Sequence, residues 1–186
     1  MGNTGILFQG LWLAWIAYWL VSARGTKRTA SRPKLRFAYL WLLVPLACAV
    51  AAHLHPHFFG RRLFPQDGIR APVCLAVAAL GLGFSIWARR VLGSNWSSTP
   101  VIKEGHELIR VGPYRWVRHP IYTGLLVALA ATFAARGHVG DACLLVLVTL
   151  GLVWKLSIEE SLMIQQFPEA YPEYRKQTKA LIPFVL

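Results

Sequence analysis

One run, Gly112-Pro113-Tyr114-Arg115-Trp116-Val117-Arg118-His119-Pro120-Ile121-Tyr122, gathers arginines, tyrosines, a histidine and a tryptophan where a polar segment meets an apolar one. A mere connector needs none of them. Pro120 biases His119 away from helical angles and suits the first position of a helix through Gly124-Leu125-Leu126-Val127. The free amides of that first turn, its positive dipole end, Arg118 and His119 would then converge on a seat for a carboxylate or phosphate. Trp, Tyr and Arg also collect in the aromatic belts of membrane interfaces, but a belt does not require a His-Pro step beside an arginine.

A second cluster is acidic. Glu159-Glu160 follows Lys155 at the end of an apolar run, where carboxylates are costly unless paired or used. Lys155 reaches Glu159 one helical turn away, in the weaker orientation for an ion pair. The functional reading sets Glu159 against a ligand cation or against Arg118. Upstream, Val91–Pro100 is turn-rich, and Lys103–Gly112 alternates apolar and polar residues in a short extended piece closed by glycines. That piece is either a ribbon lying over a site or a surface linker. The tail from Gln165 to Lys176 has the mixture of an interfacial amphipathic segment, and Leu181-Ile182-Pro183-Phe184 after it is placed to cap the site. His53, His55 and His57 alternate, so an extended segment would aim them one way, toward a metal. Pro56 and the lack of nearby acids or cysteines favour an interfacial histidine cluster instead, and no metal is expected.

The elements that must position these groups are membrane helices. The chain has 186 residues, 55% hydrophobic and 15% charged, with 8 Trp and a mean hydropathy of +0.44, which is too apolar for a soluble domain of this size. Charge-free runs at Met1–Ala23, Phe37–Gly60 and Ala71–Ala88 approach or exceed the roughly 18 residues of a spanning helix. Ile121–Ala135 and Ala142–Trp154 are shorter and are joined by the polar turn Arg136–Asp141, so they read as a hairpin over 120–158 that spans by adding residues such as Lys155–Ile158. The expected fold is all-α, one membrane domain over 1–186 with about five transmembrane helices. Three lie in 1–90, and 91–186 forms the half that carries both polar clusters, its candidate pocket on the cytoplasmic side.

Charge distribution orients the bundle. Of the 20 Lys and Arg, sixteen fall in Arg24–Arg36, Arg89–Arg118 and Lys155–Lys179, while Arg61, Arg62, Arg70 and Arg136 fall in the segments between. This places the amino end outside and the carboxyl end in the cytoplasm, in the plasma (inner) membrane. The formal charge of +12 is thereby explained by anionic lipid, and nucleic acid is not an expected partner. Met1–Ala23 has no basic residue before it and Arg24 and Lys27 after it, the pattern of a retained helix rather than a signal peptide. Ile6 breaks a myristoylation pattern. Cys48, Cys74 and Cys143 lie inside apolar runs as core residues.

The ordered set Lys103-x-Gly105-His106-x-Leu108, Gly112-x-Tyr114-x3-Arg118-His119-Pro120-x-Tyr122 and Glu159-Glu160-x2-Met163-x3-Phe167-x3-Tyr171-x2-Tyr174 resembles the isoprenylcysteine carboxyl methyltransferase family. The wider group includes membrane phospholipid N-methyltransferases, and the likeness covers about residues 90 to 186. It implies that His106, Glu107, Leu108, Ile109, Tyr114, His119, Pro120, Ile121, Tyr122 and Glu159 contact S-adenosylmethionine. It also makes Arg118, Glu159 and Lys155 the catalytic candidates. The residues themselves suit that cofactor: Arg118, His119 and the Pro120 helix start for its carboxylate, Glu159 for its ammonium or ribose, Tyr114 or Tyr122 for its sulfonium. Two departures stand out. Lys155 occupies the position of an arginine that the family's animal members use on the acceptor's carboxylate, and Phe167-Pro168 replaces a Phe-Gly step.

The implied function is S-adenosylmethionine-dependent methyl transfer to a lipophilic acceptor among membrane lipids: a prenylcysteine-like carboxylate, another lipid, an amine or a thiol. The other readings are a reductase of the sterol reductase type that uses NADPH, and a carrier or sensor built on the same pocket. Placing Arg89–Arg118 and the carboxyl-terminal segment on the cytoplasmic side predicts that Ser98→Cys resists an impermeant thiol reagent in intact cells. Labelling from outside would reverse the topology.

Overall fold

The computed structural model describes residues 3–31, 43–65 and 68–182. An apolar segment in lipid can satisfy its backbone only internally, and these runs do so as helices. The described residues form α1 (Asn3–Ser22), α2 (Val44–Leu54), α3 (Pro56–Phe59), α4 (Arg70–Leu92), α5 (Pro120–Arg136), α6 (Val139–Gln166) and α7 (Ala170–Gln177). Thr4–Ser22, Arg70–Asn95 and Val139–Gln166 are long and apolar enough to cross a membrane, and α5 is a shorter apolar helix. The protein is a multi-pass membrane protein. Val146, Leu147, Leu150 and Val153 of α6 lie exposed, a surface suited to lipid rather than water.

The expected hairpin closes at Gly137, which takes a left-handed φ of 67° while its amide returns to the Phe133 carbonyl. Its second arm differs from expectation. Helix α6 does not end near residue 158 but runs on to Gln166, 28 residues in all, about 42 Å at 1.5 Å per residue, so its inner end outruns a hydrocarbon core of about 30 Å. The span expected over 37–60 is described only from residue 43, as α2 and α3; the remainder lies outside the described residues. His53 sits in the last turn of α2 and His57 in α3, with helix on both sides of His55, so the extended segment imagined for the three histidines does not form. All three are exposed.

One addition to an all-α bundle is a ribbon of β1 (Thr29–Ser31) against β2 (Ile102–Lys103), antiparallel and bulged. Lys27 reinforces it, donating from Nζ to Asn95 Oδ1 at 3.0 Å and to the Gly105 carbonyl at 2.6 Å. The parallel bridge Val117–Lys179 brings the carboxyl-terminal segment to the same end. The three basic segments thus meet at one end of the bundle. At the other, the Arg61 carbonyl accepts from Val139 and Arg62 bridges His138, beside the ion pair of Arg136 with Asp141.

The bundle is set by the crossing of α4 and α5, whose backbones touch at glycine. A Cβ on Gly124 would lie 2.3 Å from the Gly81 carbonyl oxygen, and one on Gly81 would lie 2.7 Å from that of Gly124. Small residues permit such contact where lipid supplies no hydrophobic drive between helices. Helix α1 is attached by polar bonds: Trp15 Nε1 donates to Ser85 Oγ at 2.8 Å and Trp12 Nε1 to Thr132 Oγ1 at 3.2 Å. Both hydroxyls also donate back to carbonyls of their own helices, so no polar atom there is wasted. Gly124→Ala should therefore destabilise the protein by about 3 kcal/mol or prevent folding. Gly83→Ala, where a Cβ meets nothing within 4 Å, should be neutral or stabilising by up to about 1 kcal/mol. Thermal unfolding in detergent compares them, and equal behaviour would remove the crossing from its central place.

Candidate functional site

Where the basic segments meet, a cleft opens with about 860 Å³ of empty space counted out to its mouth. Four pieces of chain build it: residues 92–101 after α4, the stretch 106–109, the turn from Tyr114 into α5, and the inner end of α6 with α7. Gly105 at φ 57° and Gly112 at φ 59° supply the left-handed turns that bracket the 106–109 stretch. Asn95, buried at the base, accepts from Lys27 Nζ and, at 3.5 Å, from the amide of Glu107, tying that stretch to the end of α4.

The two carboxylates of α6 part company. Glu159 lines the cleft and accepts from Tyr122 Oη at 2.7 Å. Glu160 turns away into a buried cluster: Arg118 Nε donates to its Oε1 at 2.7 Å and Arg175 Nε lies 3.4 Å from its Oε2. His119 stands between them, Nδ1 3.6 Å from Glu159 and Nε2 3.4 Å from Glu160, with its ring stacked parallel on Tyr122 at 5.4 Å.

The tail closes the cleft. Tyr171 and Tyr174 of α7 are buried, and Tyr174 Oη donates to the Tyr114 carbonyl. Burial pushes the Tyr174 phenol up to about 12, so at neutral pH it keeps its proton for that bond. Burial also raises Tyr114 and Tyr171 well above the ordinary tyrosine range. Beyond α7, amides of Arg118 and His119 donate to the carbonyls of Lys179 and Ala180 at 2.9 and 3.0 Å, and Thr123 Oγ1 donates to that of Leu181 at 2.7 Å. Pro183 and Phe184, expected in the cap, lie outside the described residues.

His106, Glu107, Leu108, Ile109, Tyr114, His119, Ile121, Tyr122 and Glu159 all line this cleft, as does Arg118. Pro120 does not; it is fully buried as the first residue of α5. Lys155 does not line it either, and lies buried with Nζ 2.9 Å from the Ser98 carbonyl and 3.6 Å from Glu159. The pairing of Arg118 with Glu159 is not formed, because adjacent residues leave a helix about 100° apart and Glu160 is the one aimed at Arg118. The expected anion seat is likewise altered. The amides of Tyr122 and Thr123 return to the His119 carbonyl, and Arg118 gives Nη1 to the carbonyls of Thr178 and Arg175.

This half of the chain has known kin. Residues 74–165 match the model of the isoprenylcysteine carboxyl methyltransferase (ICMT) family. Over this segment the chain resembles that family. It is 31% identical over 85 residues to the protein-S-isoprenylcysteine O-methyltransferase of Schizosaccharomyces pombe, 43% of this chain and 34% of that one. It is 35% identical over 72 residues to methanethiol S-methyltransferase 1 of Bradyrhizobium diazoefficiens, 38% of this chain and 24% of that one. The chain thus spans only about a quarter to a third of these curated relatives. The fold is similar to the solved eukaryotic intramembrane Ras methyltransferase ICMT, with a TM-score of 0.55 at 21% identity, over 82% of this chain and 55% of that one.

The cleft also holds residues not singled out as contacts from sequence. Met163, Tyr171 and Tyr174 carried a signal, since they stand in the motif that marks the family. Asn95, Trp96, Ser97, Thr99 and Val101 carried none beyond their turn-rich setting. Trp96 is held from two sides, by the Arg89 guanidinium 4.6 Å from its ring centre and by Trp19 edge-on at 5.9 Å. The buried Arg118–Glu160 bond predicts that Arg118→Ala and Glu160→Ala each cost about 3 kcal/mol, because each leaves a charge without its partner. The double variant should cost well under their sum in thermal unfolding. Simple additivity would mean the pair is not coupled.

Proposed function

We propose that this protein transfers a methyl group from S-adenosylmethionine to a lipophilic acceptor, in a cleft on the cytoplasmic side of the membrane. One observation carries the reading: a single cleft joins the Glu159 carboxylate, the Tyr122 phenol, His119 and the 106–109 stretch inside the segment that matches the ICMT family. Such a ligand needs an acidic partner, aromatic faces and a roomy, partly apolar slot, and the residues present fit it. When bound, S-adenosylmethionine supplies a methyl group on a cationic sulfur.

Glu159 takes the ammonium or the ribose hydroxyls, and the Tyr122 hydroxyl holds its carboxylate in place. The faces of Tyr114 and Tyr122 attract the sulfonium. The 106–109 stretch covers the ligand from above, and Tyr171 and Tyr174 keep water from below. Arg118 acts through the fold, holding Glu160 and the tail. Catalysis then rests on orienting two bound molecules rather than on a strong acid or base. A lipophilic acceptor is supported by the lipid-suited surface of α6, whose inner end lines the cleft, and by relatives whose names specify isoprenylcysteine and methanethiol. The cytoplasmic placement is supported by thirteen of the 17 described Lys and Arg, which lie in the segments that meet at the cleft end.

The reading predicts that Glu159→Gln loses a charge-assisted hydrogen bond of ~1.5–3 kcal/mol, a tenfold to hundredfold drop in affinity for S-adenosylmethionine. Glu160→Gln should lower thermal stability and leave the affinity of the folded protein within about threefold. Calorimetric titration of both variants decides. Equal losses would put the wrong carboxylate in the pocket, and tight binding of NADPH alone would replace methyl transfer by reduction.

A further inference from the structure

We propose that Lys27 is a positioning residue for the cofactor: its ammonium clasps the 106–109 stretch to the floor of the cleft, so the site extends beyond residues 74–165 into the segment that follows α1. This rests on the methyl-transfer reading and adds a residue to it. The stretch that covers the ligand runs between two left-handed glycines, Gly105 at φ 57° and Gly112 at φ 59°, and residues 106–110 carry neither helix nor strand. Where such a piece sits is decided by what its two ends are tied to. At the far end, Arg110 Nη2 donates to the Ala170 carbonyl at 2.7 Å, and its guanidinium lies 5.5 Å from the Tyr174 ring centre. At the near end the tie is Lys27.

Lys27 Nζ donates to the Gly105 carbonyl at 2.6 Å and to Asn95 Oδ1 at 3.0 Å. The same Asn95 oxygen accepts from the Glu107 amide at 3.5 Å, and Asn95 lines the cleft. One ammonium therefore reaches the covering stretch twice, directly at its glycine hinge and indirectly through the cleft floor. Backbone bonds fix the clasp in turn. The Lys27 amide donates to the Ser94 carbonyl and the Glu104 amide to the Arg28 carbonyl, both at 3.0 Å, next to the ribbon of β1 and β2. Arg89 anchors the base by donating to the carbonyls of Ser22, at the end of α1, and Gly93. Without the ammonium, two oxygens lose a charged donor and the Gly105 hinge can carry the stretch away from the ligand. Lys27 does not line the cleft, so it acts on the cofactor through Asn95 and Gly105.

The test uses the full chain in lipid nanodiscs. Calorimetry of the unchanged protein with S-adenosylhomocysteine comes first; absence of binding would remove the methyl-transfer reading and this inference with it. Lys27→Met is then expected to weaken S-adenosylhomocysteine about tenfold, the loss of one charge-assisted hydrogen bond. Arg24→Gln, which removes a charge from the exposed turn just before Lys27, should stay within about twofold of the unchanged protein. Hydrogen exchange supplies a readout that general destabilisation would not give: in Lys27→Met the amides of 104–109 should exchange faster while those of α4 and α5 keep their protection. Affinity of Lys27→Met within about twofold of the unchanged protein would overturn the proposal, as would an equal loss in Arg24→Gln. If Lys27→Met fails to fold, exchange in the unchanged protein decides: S-adenosylhomocysteine should slow residues 27–31 together with 104–109, and slowing of 104–109 alone would overturn it.

Discussion

Two adjacent carboxylates on one helix cannot face the same way, and the cleft end of this molecule is organised around that constraint. Residues 159 and 160 leave α6 about 100° apart. Glu159 takes the cleft; Glu160 is committed to Arg118 and Arg175. The second assignment decides where the tail goes. Arg118 is bonded on one side to α6 and on the other to carbonyls at the end of α7, so its guanidinium joins the tail to the bundle alongside the backbone and hydroxyl bonds there. The first assignment decides the chemistry, because a carboxylate partly open to a ligand is kept in register by Tyr122 from α5 and Lys155 from its own helix.

That arrangement depends on α5 arriving at one depth and angle. The glycine contact between α4 and α5 fixes their separation, and the turn at Gly137 fixes the return into α6. Tyr122 and Glu159, 37 residues apart in sequence, then meet at hydrogen-bond distance. In lipid a misplaced hydroxyl or carboxylate finds no water to replace its partner, so small errors in packing are felt directly at the site. The indole bonds of Trp12 and Trp15 extend the same logic to α1, which reaches the cleft through Trp19 against Trp96.

Much of this was legible from residue types alone. Charge-free runs marked α1, α4 and the hairpin, and the Arg118–Tyr122 and Glu159–Glu160 motifs fall together at one cleft as their order suggested. The length of α6 was not legible, because Lys155, Glu159 and Glu160 read as the end of an apolar helix. They are tolerated within it because each has a partner on another segment. The ribbon escaped as well: strands of three and two residues carry no periodicity, and their partners lie more than seventy residues apart. Pairing of Arg118 with Glu160 rather than Glu159 depends on the rotation of α6 about its axis, which spacing alone does not set.

The central claim is that the cleft between the 106–109 stretch, the start of α5 and the inner end of α6 holds S-adenosylmethionine, with Glu159 as its acidic partner. An experimental structure of the protein in a lipid nanodisc with S-adenosylhomocysteine tests this most directly. The account predicts ligand density in that cleft, with a Glu159 oxygen within hydrogen-bond distance of the ligand's ammonium or ribose and Glu160 still bonded to Arg118. Density at another place in the bundle, or a ligand held by Glu160 with the Arg118 bond broken, would contradict it.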